Sequence, residues 1–336
     1  MTDPRPDSPV HSLTPPPSLS GVLGRALGGG LIMAVALGVG TAVGPVVADA
    51  VGMTGFAARL VPAALVSAVA MPLVVFALRR RRGSLADIGF GGTCPSLRAL
   101  LFGVGVTAGA AALVLGAGTA AGMLHWARPD LPMLAGYIVT NVVIALLLEA
   151  LPEETTLRGH TWTSLRSRFG AVASALGTTA VFLVVPGVST LVEAGTARLV
   201  GGEAGPVGLA PGGQNPADYL ILLTVFGLTL VAARTAVRHA PLWAGIGAHL
   251  TFLTVNRVVF EGDRRGAGWS VETTPGAELL VPVYLLVAMA VFALWRRRAW
   301  DPAAPGRKVA TVHQSVPCPS HRVSTYPPGE SGSPYS

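Results

Sequence analysis

Stretches of about 20 residues with little or no charge recur along most of the chain, and they constrain its fold more than any other feature. A helix needs about 20 consecutive apolar residues to cross a hydrocarbon core roughly 30 Å thick. The composition agrees, because 51% of the residues are hydrophobic, 12% are charged and the mean hydropathy is +0.57. Ordinary soluble domains do not have these proportions. The sequence therefore predicts a protein that crosses a membrane several times.

The predicted fold class is all-α, a polytopic transmembrane bundle of about eight helices. A transmembrane β-barrel would need segments of about ten residues with alternating hydrophobicity, and runs such as Ala-Ala-Ala-Leu-Val-Leu at 110–115 do not alternate. The predicted spans lie near residues 27–48, 58–78, 99–122, 133–152, 170–192, 218–238, 241–260 and 277–295.

The two ends of the chain differ in composition from its middle. Residues 1–20 and 301–336 are rich in proline and serine, and neither segment has enough apolar surface to fold alone. We expect both ends to be disordered. Residues 21–300 are expected to form one membrane-embedded helical domain.

Clusters of basic residues set the expected orientation, because Lys and Arg are retained on the cytoplasmic side of short loops. Arg79–Arg82 and Arg296–Arg298 are the two strongest clusters. With eight spans, both clusters and both termini are cytoplasmic, in a plasma-membrane protein. This topology explains the net charge of +7, so membrane lipid is the expected partner. Nucleic-acid binding is not predicted, since no basic stripe with interleaved aromatic residues is present.

Two adjacent carboxylates, Glu153 and Glu154, stand at the end of the fourth apolar run. Carboxylates at membrane depth are costly and usually functional. Glu154 and Arg158 are spaced as an i, i+4 ion pair, which leaves Glu153 as a candidate general base. The simpler alternative is that these charges mark a solvated helix end at the membrane interface.

A histidine inside the seventh apolar run is the second candidate for site chemistry. His249, Phe252 and Asn256 lie roughly on one helical face. A lone buried histidine is usually a packing residue. A histidine and an asparagine on one face of a transmembrane helix more often line a cavity.

Two glutamates followed after three residues by an arginine and a glycine, at Glu153, Glu154, Arg158 and Gly159, resemble the first motif of the CPBP intramembrane proteases. This family includes the CAAX prenyl endopeptidases and the bacterial Abi-type proteins. The resemblance implies an eight-helix bundle with a membrane-embedded cavity, in which Glu153 activates water to hydrolyse a membrane-associated peptide. It also implies that Glu154 and Arg158 hold the site and that His249 assists the water. The family name includes metalloprotease, and the resemblance leaves the metal open.

Two positions depart from the family pattern. The second motif places a histidine four residues after a phenylalanine, and Pro186 stands four residues after Phe182. The third motif places an asparagine four residues after a histidine, and Leu253 stands four residues after His249. In the family these two polar residues are proposed to hold the oxyanion. Asn256 and His160 are the candidates to compensate.

Three functional hypotheses follow from these residues. The first is an intramembrane endopeptidase of the CPBP type. The alternative is a catalytically weakened or inactive relative that acts as a membrane binding or scaffold protein. A solute transporter is a third hypothesis, which the sequence supports less because no pair of broken helices is evident.

Overall fold

A computed structural model of the chain describes residues 18–203, 205–210 and 214–300. Most of the two predicted disordered ends, residues 1–17 and 301–336, lies outside this part, and the first helix begins at Leu19. The described residues form eight long helices: α1 (Leu19–Ala50), α2 (Gly55–Arg79), α3 (Thr93–Ala120), α4 (Leu131–Arg166), α5 (Ala171–Val200), α6 (Pro216–Ala236), α7 (Pro241–Val259) and α8 (Leu280–Trp300).

The predicted all-α polytopic bundle is confirmed. Within the described residues, seven helices are long and apolar enough to cross a membrane, namely all except α7. The segment predicted as the seventh span is a helix, but His249, Asn256 and Arg257 lower its hydropathy. Thirteen of its 19 residues are buried, so α7 is surrounded by protein on most of its surface.

Helix α4 lies at the centre of the bundle. Helix α1 packs against α2 and α5, and α3 packs against α7 and α8. Helix α6 contacts α5, α7 and α8. The second half of α4 contacts α1, α2, α5, α6 and α7. Residues on that half are therefore enclosed by five other helices.

The fourth span is much longer than predicted. The apolar pattern predicts an end near residue 152, whereas α4 continues for 36 residues to Arg166. Pro152 lacks a backbone N–H and would break a regular α-helix. The chain passes this point through two π-helical stretches, Leu146–Ala150 and Glu154–Thr161. The glutamate pair therefore lies inside a long helix rather than at its end.

Glycines allow α3 and α7 to approach backbone to backbone. A methyl group on Gly103 would overlap the carbonyl oxygen of Ala244, and one on Gly247 would overlap the carbonyl oxygen of Leu100. Close approach through small residues is the usual packing mode of helices in lipid. It fixes the position of α7 and of the side chains that α7 carries toward α4.

Short connections between spans carry the remaining regular structure. Strands β1 (Leu124–Trp126) and β2 (Val271–Thr273) pair antiparallel. One-turn helices cover Ala86–Ile88, Gly262–Arg265 and Ala277–Leu279.

Arginines collect around two clefts at one end of the bundle. One cleft is lined by Arg25 and Arg81, and the other by Arg166, Arg234 and Arg296. Arg81 and Arg296 belong to the two basic clusters that the sequence assigns to the cytoplasmic side.

Candidate active site

A fully buried ion pair stands in the second π-helical stretch of α4. Nη1 of Arg158 lies 3.3 Å from Oε1 of Glu154, and neither side chain is exposed. The i, i+4 spacing that the sequence suggests as an ion pair is thus realised inside the protein. Burying two charges is favourable only when the pair and its surroundings compensate for the lost hydration.

His249 approaches the same carboxylate from α7. Its Nδ1 lies 3.2 Å from Oε1 of Glu154, and the imidazole is almost completely buried. Gly245, one turn earlier on α7, makes room for this contact. A methyl group on Gly245 would lie 2.6 Å from Oε2 of Glu154. One carboxylate thus joins Arg158 of its own helix to His249, 95 residues away along the chain.

Aromatic rings enclose the three polar side chains. The guanidinium carbon of Arg158 lies 4.4 Å from the centre of the Phe182 ring on α5. Phe226 of α6 meets the imidazole of His249 edge to face, with 4.9 Å between ring centres. All three polar side chains are buried, so their charges act in a medium of low polarity, where electrostatic interactions are strong.

Several polar atoms of this cluster lack a hydrogen-bond partner among the described residues. They are Oε2 of Glu154 and the Nε, Nη1 and Nη2 atoms of Arg158. The 3.3 Å contact between Arg158 and Glu154 is an ion pair without hydrogen-bond geometry. Buried donors and acceptors without partners are costly, and in native proteins they call for an explanation such as a catalytic role.

Glu153 precedes this cluster on α4. Its side chain is buried, with 9% of the residue exposed. Within the described part of the chain, its carboxylate has no hydrogen-bond or ion-pair partner. Glu153 is therefore a carboxylate next to, but not bonded to, the Glu154, Arg158 and His249 cluster.

Glu149, one turn before Glu153, belongs to a different polar group. It forms an ion pair with Arg257 of α7, whose Nη1 also donates to Oδ1 of Asn141 at 3.1 Å. Asn141 is fully buried and its Nδ2 lies 3.4 Å from Oγ1 of Thr254. This network ties the first half of α4 to the end of α7.

The two candidates for compensation lie apart from the cluster. Nδ2 of Asn256 donates to the backbone oxygen of Phe252 and to the hydroxyl of Tyr284, both at 2.9 Å. His160 lines a cleft with Arg25 and Arg81. Neither residue makes a hydrogen bond to Glu154, Arg158 or His249.

The two residues that depart from the family pattern, Pro186 and Leu253, bring no polar side chain to the site. Pro186 follows Phe182 by one turn inside α5, which continues as one helix through it. Leu253 is buried one turn after His249. Neither side chain carries a hydrogen-bond donor, so donors for an oxyanion would have to come from elsewhere.

Three residues at or near the site are missing from the sequence-based candidates. Gly245 and Phe226 take their importance from contacts between helices, which no local pattern reveals. Asn141 could have been proposed from the sequence, because it is an uncharged polar residue inside a largely apolar span.

The donor set around Glu154 does not fit a catalytic metal. Such sites commonly use three protein ligands drawn from histidine, aspartate, glutamate and cysteine. No group of three such residues able to hold a metal occurs in the described residues. The guanidinium of Arg158 also lies 3.3 Å from the oxygen that His249 approaches, and its charge would repel a cation there.

Comparison with known proteins finds a family match over the part of the chain that carries this site. The family described as Type II CAAX prenyl endopeptidase Rce1-like matches residues 134–255, a range that begins in α4 and ends in α7. No curated protein and no solved structure matches the chain. The matched range contains Glu153, Glu154, Arg158, Phe182 and His249. The resemblance to the CPBP/CAAX protease family that the sequence motif suggests is thus confirmed over residues 134–255.

Proposed function

We propose that the protein is an intramembrane endopeptidase that hydrolyses a peptide bond of a membrane-associated substrate. The observation that carries this proposal is the buried group of Glu154, Arg158 and His249 beside an unpaired carboxylate, Glu153. The family match over the same residues supports it.

Glu153 serves as the general base in this proposal. It takes a proton from a water molecule, whose oxygen attacks the scissile carbonyl and forms a tetrahedral intermediate. The proton then passes to the leaving amine, which separates as the C–N bond breaks. A positioned general base contributes about 10²–10⁴-fold to such a reaction. Glu153 suits this role because its carboxylate has no ion-pair partner among the described residues.

Glu154 holds the other two polar side chains in place. Its Oε1 is shared by Arg158 and His249, so it fixes the guanidinium and the imidazole relative to Glu153. His249 then orients the attacking water. This arrangement keeps the roles that the family resemblance implies.

Arg158 is the proposed donor to the oxyanion. Pro186 and Leu253 stand where the family has its polar residues, and neither can donate. The buried guanidinium has N–H groups without hydrogen-bond partners among the described residues. A charged donor in a site of low polarity stabilises developing negative charge strongly, and loss of one oxyanion donor typically costs about 10²–10³-fold in rate.

The proposed setting is the plasma membrane, with both termini cytoplasmic. The clustering of arginines at one end of the bundle supports this orientation. The proposed partners are membrane lipid and a membrane-associated peptide or protein.

The test is cleavage by purified protein in lipid nanodiscs. The substrates are membrane-anchored peptides with a lipidated C-terminal cysteine and matched peptides without the lipid. We expect wild-type cleavage of at least one set, a loss of about 10²-fold or more in Glu153→Gln, and normal activity in Glu272→Gln, an exposed carboxylate of β2. Wild-type cleavage that persists in both Glu153→Gln and His249→Ala would contradict the proposal.

A further inference from the structure

A basic cleft lies at the arginine-rich end of the bundle, apart from the cluster around Glu154. Arg25 of α1, Arg81 after α2, and His160, Ser164 and Ser167 at the end of α4 line it, together with Asp87. Its volume is about 260 Å³. These side chains come from three separate parts of the chain, so the fold itself brings them together.

The charges of this cleft do not balance. Arg25 and Arg81 have no ion-pair partner among the described residues, and Asp87 is the only acidic residue lining the cleft. The Asp87 carboxylate accepts a hydrogen bond from the backbone N–H of Ser84 at 2.7 Å. Two arginines and one aspartate leave one net positive charge, with His160 counted as neutral. A phosphodiester carries one negative charge.

The two arginines act on each other across the cleft. Partial burial and the positive charge of Arg25 lower the pKa of Arg81. Nη2 of Arg25 lies 3.5 Å from the hydroxyl of Ser167, which holds its guanidinium toward the end of α4. Cations that face each other in a concave site are stabilised by an anion between them, and arginine binds phosphate through paired N–H groups.

The surroundings of the cleft are those of a membrane interface. Leu78, at the end of the apolar run of α2, also lines it. Leu23 and Leu27, on either side of Arg25 along α1, are 42% and 62% exposed. In a helix that crosses the membrane, such exposed leucines face lipid. An anion reaching this cleft therefore meets apolar surface beside the charged groups, as a phospholipid does.

From these observations we infer that this cleft binds the phosphate group of an anionic phospholipid. The arginines pair with the phosphate, the hydroxyl of Ser164 adds a hydrogen bond, and the acyl chains remain along the surface of α1. The inference does not depend on peptidase activity, because Glu153, Glu154, Arg158 and His249 do not line this cleft.

Native mass spectrometry of the purified full-length chain tests the inference. Phosphatidylglycerol and phosphatidylcholine are added separately at equal concentration. We expect phosphatidylglycerol to bind at least about tenfold more tightly, since each charge-assisted hydrogen bond contributes appreciably. The preference should disappear in the double variant Arg25→Gln/Arg81→Gln. It should remain in Arg79→Gln, which removes a nearby exposed arginine that does not line the cleft.

Both the comparison of the two lipids and the comparison of the variants can overturn the inference. Equal binding of the two lipids by the wild type overturns the inference, and so does a preference that survives in the double variant. Inorganic phosphate added as a competitor should leave phosphatidylglycerol bound, and displacement would assign the site to free phosphate instead. If the double variant does not fold, Arg81→Gln alone provides the same comparison, because Arg81 is largely exposed and its replacement leaves the interior of the bundle unchanged.

Discussion

At the scale of single residues, the site is a small group of charges that share one carboxylate. Oε1 of Glu154 lies 3.3 Å from Arg158 and 3.2 Å from His249. The sequence suggests the first contact through the i, i+4 spacing. It says nothing direct about the second, because that contact joins residues on different helices. The polar face of α7 and the family resemblance both point to His249 as a site residue, but no pattern points to its contact with Glu154 or to the aromatic ring beside it.

Replacement of Gly245 by alanine tests how closely α7 must approach Glu154. In Gly245→Ala the added methyl group would lie 2.6 Å from Oε2 of Glu154 and would push the carboxylate away from its partners. Small displacements of catalytic groups can cost about 10²-fold in rate, so we expect a loss of that order in peptide cleavage. Gly109→Ala is the matched control, since no atom lies within 4 Å of the added methyl there, and it should cleave normally. Full activity in Gly245→Ala would show that the position of Glu154 is not critical.

The donor set also predicts how the protein responds to chelators. Arg158 already neutralises Glu154, and the described residues provide no group of three metal ligands. We expect peptide cleavage in nanodiscs to be unchanged after treatment with EDTA or phenanthroline. Loss of activity, with recovery on adding a single divalent metal, would contradict this reading of the site.

At the scale of elements, the largest difference between the sequence-based prediction and the structure concerns α4. Its hydropathy falls after residue 152, and Pro152 is usually a sign that a helix ends. The helix continues because its second half is enclosed by protein and not by lipid. The hydroxyls of Thr155 and Thr156 donate to the backbone oxygens of Leu151 and Pro152, at 2.6 Å and 2.8 Å. Hydropathy reports contact with lipid, so it cannot reveal a polar helix segment inside a bundle.

The close packing of α3 against α7 is a second property of the elements. In Gly103→Val the side chain would overlap the Ala244 carbonyl and force the helices apart. Overpacking of this kind costs about 1–3 kcal/mol, so we expect a clear loss of thermal stability. Gly105→Val is the control, because the same helix has open space at Gly105 and its stability should change little. Thermal unfolding of the two variants in the same detergent provides the comparison.

At the scale of the whole molecule, the pattern of apolar stretches predicts the class of fold. The recurring apolar stretches predict eight helices, and eight long helices are present in the described part of the chain. The one that does not qualify as a membrane span by hydropathy is α7, which carries His249. Most of its surface is covered by protein, so a helix that contributes a side chain to the site is also the least typical span.

The orientation of the bundle is a prediction at this scale. The positive-inside rule places the loop after α2 in the cytoplasm and the strand pair β1–β2 on the opposite side. Single cysteines introduced at Ser84 and at Glu272 can be probed with a membrane-impermeant maleimide. In intact cells we expect labelling at position 272 above the level of the unmodified chain, and no added labelling at position 84. The reverse pattern would invert the topology.

The central claim is that the site is active although Pro186 and Leu253 replace the two polar residues of the family. The most direct measurement compares cleavage of a membrane-anchored peptide by wild type and by the double variant Pro186→His/Leu253→Asn, in the same nanodiscs. If Arg158 already supplies the oxyanion donor, the wild type cleaves measurably and the double variant is faster by less than about tenfold. An inactive wild type together with an active double variant would contradict the claim, because it would identify the chain as a protease that has lost its oxyanion donors.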